Sequence, residues 1–200
     1  MTIREKMQQG LPYTDLGEGL EEEREACKEL LYDYNLTRPK ETEQRTMLLQ
    51  KMLGQVGKDP WIEMPLHMAY GKNTFIGDNF YANFNLVVVD DEKVYIGSRV
   101  MIAPNVTITT TGHPVHPQKR GDGTQFSFSV HIEDDVWIGS NTVILPGVTI
   151  GEGSVIGAGS VVTKSIPPNV VAVGAPCRVL RPIEERDKIF YWKDKKFPLE

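Results

Sequence analysis

From Ile132 onward an aliphatic residue returns every sixth position: Ile132, Ile138, Ile144, Ile150, Ile156 and Val162. Four residues after each, a small or β-branched side chain follows, at Val136, Thr142, Val148, Ser154 and Ser160. The same step runs upstream through Ile96, Ile102 and Ile108, with Val100 and Val106 as companions, and more weakly through Ile76, Ala82 and Val88. A period of six fits neither an amphipathic helix nor an alternating strand. It suits a short strand and a turn, repeated so that each turn falls on a corner. Gly139, Gly147, Gly151, Gly153, Gly157 and Gly159 lie between the apolar positions, where a corner calls for positive φ or close backbone approach. The implied fold is mainly β, a β-helix solenoid whose coils pair their backbones with the coils above and below. One coil cannot bury its own apolar face, so stability has to come from stacking.

The interruptions and flanks complete the plan. Between Ile108 and Ile132 the repeat lapses and returns in phase. The polar, Gly- and Pro-rich stretch there predicts an extruded loop over 109–129, of a length that is usually functional. A smaller slip at Asp90-Asp91-Glu92 predicts a bulge or short loop. Residues 1–58 read as a helical segment, with helices over Leu20–Tyr34 and Glu41–Leu53 separated by Pro39 and packed on one end of the solenoid. The solenoid itself is expected over 59–183. The tail, 184–200, is expected to hold a short helix with an apolar contact through Ile189, Phe190, Tyr191 and Trp192.

Composition narrows the classes. With 22 basic and 27 acidic residues the chain carries a formal charge of −5, which argues against a nucleic-acid partner. No apolar run is long enough to span a membrane, and Met1–Gln9 has no apolar signal core, so the expected setting is the cytoplasm. Two cysteines, Cys27 and Cys177, cannot build a disulfide framework or a four-thiolate zinc site, and both read as structural. The glycines of Gly151–Gly157 have the wrong spacing for a dinucleotide loop, and the six-residue period accounts for them.

Among residues that carry chemistry, His113 stands between Gly112 and Pro114 in the polar loop. A neutral imidazole is available near neutral pH, so the position suits a general base; a solvated loop histidine is the plain alternative.

The run Ile138-Gly-Ser-Asn-Thr-Val, Ile144-Leu-Pro-Gly-Val-Thr, Ile150-Gly-Glu-Gly-Ser-Val, Ile156-Gly-Ala-Gly-Ser-Val resembles the hexapeptide repeat of left-handed parallel β-helix acyltransferases. Phe80-Tyr-Ala-Asn-Phe-Asn, the Asp90-Asp91 pair, Gly112-His-Pro-Val-His, Trp137-Ile-Gly-Ser and Gly174-Ala-Pro-Cys-Arg follow in the order of the sugar O-acetyltransferase branch. Together with Gly10-Leu-Pro-Tyr-Thr-Asp15, they extend the likeness over nearly the whole chain, to the galactoside and maltose acetyltransferase family. The left hand of the helix is implied by this resemblance alone. So is direct transfer of acetyl from acetyl-CoA to a sugar hydroxyl, with His113 as base, Asn83 orienting the acceptor, and a backbone N–H at Ser140 for the oxyanion. The resemblance places Asp15, Arg24, Tyr81 and Asp91 on the sugar, and Ser140, Ala158, Thr163, Lys164, Arg178 and Arg181 on coenzyme A, where the basic groups meet phosphates. Asp15 and Arg24 read equally as plain surface charges, Asp91 as a turn cap, and Ala158 and Thr163 as repeat geometry. Trp137 is expected outside the solenoid. A homotrimer with sites between subunits is also implied, with no metal required. The family has serine where this chain has Ala69, which bears on the acceptor: a galactoside is the first expectation, and maltose, glucose or a xenobiotic the alternative.

Two other classes remain for comparison. A zinc enzyme similar to γ-carbonic anhydrases would need three histidines, for which His113, His116 and His131 are available. A non-catalytic solenoid scaffold gives no reason for the extruded loop.

Overall fold

The six-residue step becomes a triangular coil. In the computed structural model, which describes residues 1–198, each coil lends one short strand to each of three parallel sheets. The first face stacks Gln55–Val56, Thr74–Ile76, Val94–Ile96, Val130–Ile132 and Thr149–Ile150. The second stacks Trp61–Ile62, Tyr81–Ala82, Met101–Ile102, Trp137–Ile138, Val155–Ile156 and Val170–Val173, closed by Arg178–Pro182 as an antiparallel edge. The third stacks Leu66–Met68, Leu86–Val89, Thr107–Thr109, Val143–Ile144 and Val161–Val162.

Register follows the hexads. Ile96 pairs with Ile76 on one side and Ile132 on the other, and Ile132 pairs with Ile150. Ile138, Ile144, Ile150, Ile156 and Val162 are fully buried, each contributing roughly 1.5–3 kcal/mol by leaving water. The companion positions are equally buried, and their hydroxyls are satisfied by corner carbonyls. Thr142 Oγ1 donates to Gly139 O at 2.7 Å, Ser154 Oγ to Pro167 O at 2.8 Å, and Ser160 Oγ to Gly157 O at 2.5 Å. This removes the cost of burying a hydroxyl and explains why small polar residues alternate there with valine.

Corners obey two separate constraints. The residue just after the inward position lies against the next coil, so that a Cβ on Gly139 would stand 2.5 Å from Ala158 N. Two residues later the chain takes positive φ, at Gly153 (+68°) but also at Asn79 (55°), Arg99 (57°), Asn105 (60°), Asp135 (59°) and Asn141 (59°). The position is therefore not reserved for glycine: Asn and Asp tolerate the left-handed region by bonding locally, and Arg99 adopts it as well.

The insertions fall on one corner, where the third face hands over to the first. The steps from Met68 to Ile76 and from Val88 to Ile96 are eight residues instead of six, and the step from Ile108 to Ile132 holds the extruded arm. In that arm Thr111–Gly112 pairs antiparallel with Phe126–Ser127, and Pro117–Arg120 forms one short helical turn near the tip.

Helices cap the other end. α1 (Ile3–Gln8), α2 (Leu20–Asn35) and α3 (Thr42–Met52) precede the first coil. α2 and α3 match the two expected helices and place Leu31, Tyr34, Leu49 and Met52 in one core with Ile62, Leu66 and Met68. α1 was not foreseen, although Thr2 and Glu5 spell its capping box. The first solenoid strand, Gln55–Val56, already lies within the stretch read as helical, 1–58. In the C-terminal tail the short helix is Arg186–Ile189, and Phe190–Trp192 then pairs with Lys195–Lys196 as a hairpin, in keeping with the β preference of aromatic residues. Residues 199 and 200 of that tail lie outside the described residues. No helix among the described residues is long and apolar enough to cross a membrane.

The two corner constraints predict opposite responses to small changes. Gly139→Ala should cost about 1–3 kcal/mol by forcing coils apart, whereas Asn141→Gly should change stability by less than about 1 kcal/mol. Thermal unfolding of both variants checks this; equal losses would contradict the assignment.

Candidate active site

The expected site residues sort by corner. At the third-to-first corner, successive coils present Tyr70, then Asp91, then the arm with His113, and later Thr163 and Lys164. Asp15 and Arg24 join this column from outside the solenoid. Arg24 Nη1 lies 3.0 Å from Asp15 Oδ2 and donates to Tyr70 OH at 2.6 Å. At the second-to-third corner, Asn83, Ser140 and Ala158 occupy one column, with Tyr81 beside Asn83 on the second face. The two columns are separated by the width of the third face, roughly 15–20 Å of extended chain. The remaining corner carries none of the expected residues.

The arm presents its imidazole in a defined form. His113 is exposed, and its Nδ1 lies 2.9 Å from Thr124 O. A carbonyl only accepts, so Nδ1 carries the hydrogen and Nε2 keeps a lone pair toward solvent, as a proton acceptor requires. Asp122 holds Thr124 in turn, its Oδ1 accepting from the backbone N–H at 3.0 Å and from the hydroxyl at 2.6 Å.

Carboxylates at the root of the arm are buried. Asp91 Oδ1 accepts from Gln125 Nε2 at 3.0 Å; burial raises its pKa, with nearby Asp15 adding to the rise and bonding from Thr111 and Gln125 opposing it. Asp90 is fully buried, accepting from Tyr70 N–H at 2.8 Å and Thr74 Oγ1 at 3.1 Å, and burial pushes its pKa up to about 6. Burial, followed by the negative charges of Asp91 and Asp15, also pushes Tyr70 up to about 12. Arg24 stays firmly charged: burial works against it, but Tyr70, Asp15 and Asp91 outweigh that effect. This cluster of acid, guanidinium and phenol is the polar, directional kind of surface that recognises hydroxyl groups.

On the opposite column, Asn83 Oδ1 accepts from Phe84 N–H at 2.8 Å, which leaves its NH₂ group free to donate. Gly159 N–H donates to Ser140 O, while the N–H groups of Ser140 and Ala158 meet no protein acceptor among the described residues. Trp137 points outward and is 49% exposed, with Ile138 inside. Arg178 is exposed at the end of this column, opposite Val173. Arg181 is already engaged by Asp187 in two bonds of 2.7 and 2.8 Å, a partner the sequence reading did not supply.

Other residues went unforeseen. Tyr70, Tyr13, Gln125 and Thr111 all belong to the cluster; only the hexad phase, which puts Tyr70 on the same corner as Asp90, signalled any of them. Burial pushes the Cys27 thiol up to about 12 and raises that of Cys177, so neither is poised as a nucleophile. His113, His116 and His131 do not converge: no group of three potential metal ligands forms among the described residues.

Comparison with known proteins adds to this geometry. Residues 6–57 match the maltose acetyltransferase hexapeptide capping motif, and residues 129–164 match the six-repeat bacterial transferase hexapeptide. The chain is 54% identical over 196 residues to galactoside O-acetyltransferase of Escherichia coli, covering 98% of this chain and 97% of that one. It is 46% identical to the Lactococcus lactis galactoside O-acetyltransferase, over 86% and 83% of the two chains. Its structure matches that of a galactoside acetyltransferase in complex with coenzyme A with a TM-score of 0.97 at 52% identity, covering 100% of both chains. A maltose O-acetyltransferase from Clostridium difficile matches at 0.90 and 48% identity, over 92% of this chain and 99% of that one.

The buried Asp90 gives a pH prediction. Its folded pKa lies above the ordinary value of 3.8, so its contribution to stability is complete below pH 4 and is lost as pH rises through about 6. Two pKa units correspond to roughly 3 kcal/mol. Asp90→Asn keeps an acceptor for Tyr70 N–H and should flatten the stability curve by about that amount between pH 4 and 7. Urea midpoints across this range check it, and parallel curves for the two proteins would contradict it.

Proposed function

The chain belongs to the galactoside and maltose acetyltransferase family of hexapeptide-repeat transferases, and from that premise we propose that it moves acetyl from acetyl-CoA to a hydroxyl of a sugar, a galactoside first. The observation that carries the reading is the pair of columns on neighbouring corners. One offers an imidazole with a free Nε2 beside a hydroxyl-recognising cluster, and the other offers unengaged backbone N–H groups beside Asn83.

The chemistry follows from these groups. Asp15, Arg24, Tyr81 and Asp91 hold the sugar, and Asn83 orients the attacking oxygen. His113 Nε2 takes the hydroxyl proton as oxygen bonds to the thioester carbonyl carbon. The oxyanion that develops is met by Ser140 N–H, a donor fixed by the coil and needing no rearrangement. Collapse breaks the carbon–sulfur bond, and the imidazolium returns its proton to the leaving thiolate, so the base is restored. Ala158 N–H and the outward corner seat the pantetheine arm, while Thr163, Lys164, Arg178 and Arg181 meet the phosphates. Arg181 would then share its charge between Asp187 and the ligand.

No single chain has both columns at one corner, so the reading includes a homotrimer in which the arm of one copy faces Asn83 of the next. Threefold closure brings the third-to-first corner of each copy against the second-to-third corner of its neighbour. The setting proposed is the cytoplasm.

Acceptor choice is the finer question. The similarity to a maltose O-acetyltransferase keeps maltose and glucosides as the second reading. Initial rates with acetyl-CoA across galactosides, glucosides, maltose and chloramphenicol test it; the highest kcat/KM is expected on a galactoside, and preference for maltose would select the second reading. On the best acceptor His113→Ala should lower kcat by about 10²-fold or more, the scale of a lost general base. A near wild-type rate in that variant would overturn the assigned base.

A further inference from the structure

The arm that carries His113 has little structure of its own. Its antiparallel ribbon joins only two residue pairs, Thr111 with Ser127 and Gly112 with Phe126, and such a ribbon is not stable alone. Residues 115–123 are exposed. Within the arm Thr124 is held only by Asp122, which is itself exposed, so the Thr124 carbonyl takes the rest of its position from the residue that follows it.

Gln125, the next residue, is gripped from two sides. Its backbone N–H donates to Tyr13 O at 2.8 Å, and its carbonyl accepts from Tyr13 N–H at 2.9 Å. Its side-chain amide donates to Asp91 at 3.0 Å, and the residue is only 6% exposed. Tyr13 is itself buried, and its hydroxyl shares a 2.5 Å hydrogen bond with Ser127 Oγ, which shares one of 2.8 Å with Thr111 Oγ1. The N-terminal segment thus locks both strands of the ribbon at its root.

We propose that Gln125, clamped between Tyr13 and Asp91, is a positioning residue for the reaction: it sets the Thr124 carbonyl and so holds His113 in the tautomer with a free Nε2. The proposal rests on His113 as the base. Asp91 takes part twice: its Oδ1 holds the clamp, and its charge also acts on Tyr70 and Arg24 of the neighbouring cluster. Acceptor recognition and placement of the base share a carboxylate. A misplacement of the imidazole by about 1 Å is enough to cost up to 10²-fold in rate.

Gln125→Met keeps the backbone bridge and removes the amide; Tyr13→Phe keeps the bridge and breaks the hydroxyl chain. Both are read by ¹⁵N NMR of histidine-labelled protein, with His113→Ala assigning the signal, and by steady-state kinetics. The wild type should show hydrogen on Nδ1 alone at high pH. In the variants the tautomers should mix, and kcat should fall about tenfold while KM for acetyl-CoA is unchanged. An Nδ1–H signal retained in both variants overturns the proposal even where activity falls, because the loss is then merely structural. The tautomer readout needs no turnover, so its failure is distinguishable from failure of the base assignment, which His113→Ala reports. If Gln125→Met does not fold, Tyr13→Phe gives the same readout.

Discussion

Aliphatic side chains stacked in register, such as Ile132 between Ile96 and Ile150, constrain the rest of this protein. A strand displaced by one residue would turn its buried set to solvent, so each coil must meet its neighbours in phase. Insertions survive where a loop can leave and return without disturbing that phase. Here they collect at one corner, and that corner carries Tyr70, Asp91 and the arm.

The stacking also makes long-range geometry repeatable. Residues far apart in sequence, Asn83, Ser140 and Ala158, fall into one column because each follows an inward position by one or two residues. Rigid columns of backbone N–H groups are well suited to a reaction in which charge develops on a carbonyl oxygen, since donors fixed beforehand need no reorganisation. The polar cluster beside the arm is built differently. It is assembled from non-repeating residues, Asp15, Arg24, Tyr70 and Asp91, partly buried so that their charges and bonds act at close range.

The hexads made the solenoid and the arm legible, and the apolar faces of Leu20–Tyr34 and Glu41–Leu53 did the same for both main helices, because period and phase are local properties of the chain. Residues such as Asn141 and Asp135 at corner positions of positive φ were not legible as such, since Asn, Asp, Arg and Gly share the role without sharing a pattern. α1 had a readable signal in Thr2 and Glu5 that went unused. Tyr13 and Gln125 could not be paired beforehand: they meet across more than a hundred residues, and neither lies in a repeat. Burial of Asp90, likewise, is a consequence of packing by α2 and the first coils, and no spacing announces it. Of the chemical residues, His113 alone drew attention by position; the others gained their roles from likeness to a family.

The central claim is that one chain holds half of each site, the base at one corner and the orienting amide at another. Mixing tests it directly: His113→Ala and Asn83→Ala chains, each expected to be nearly inactive, are unfolded together and reassembled in equal amounts. Random assembly should restore about a quarter of wild-type sites, those in which an intact arm faces an intact Asn83 on its neighbour. Activity no higher than that of the separate variants, in a mixture shown to have exchanged chains, would contradict the account.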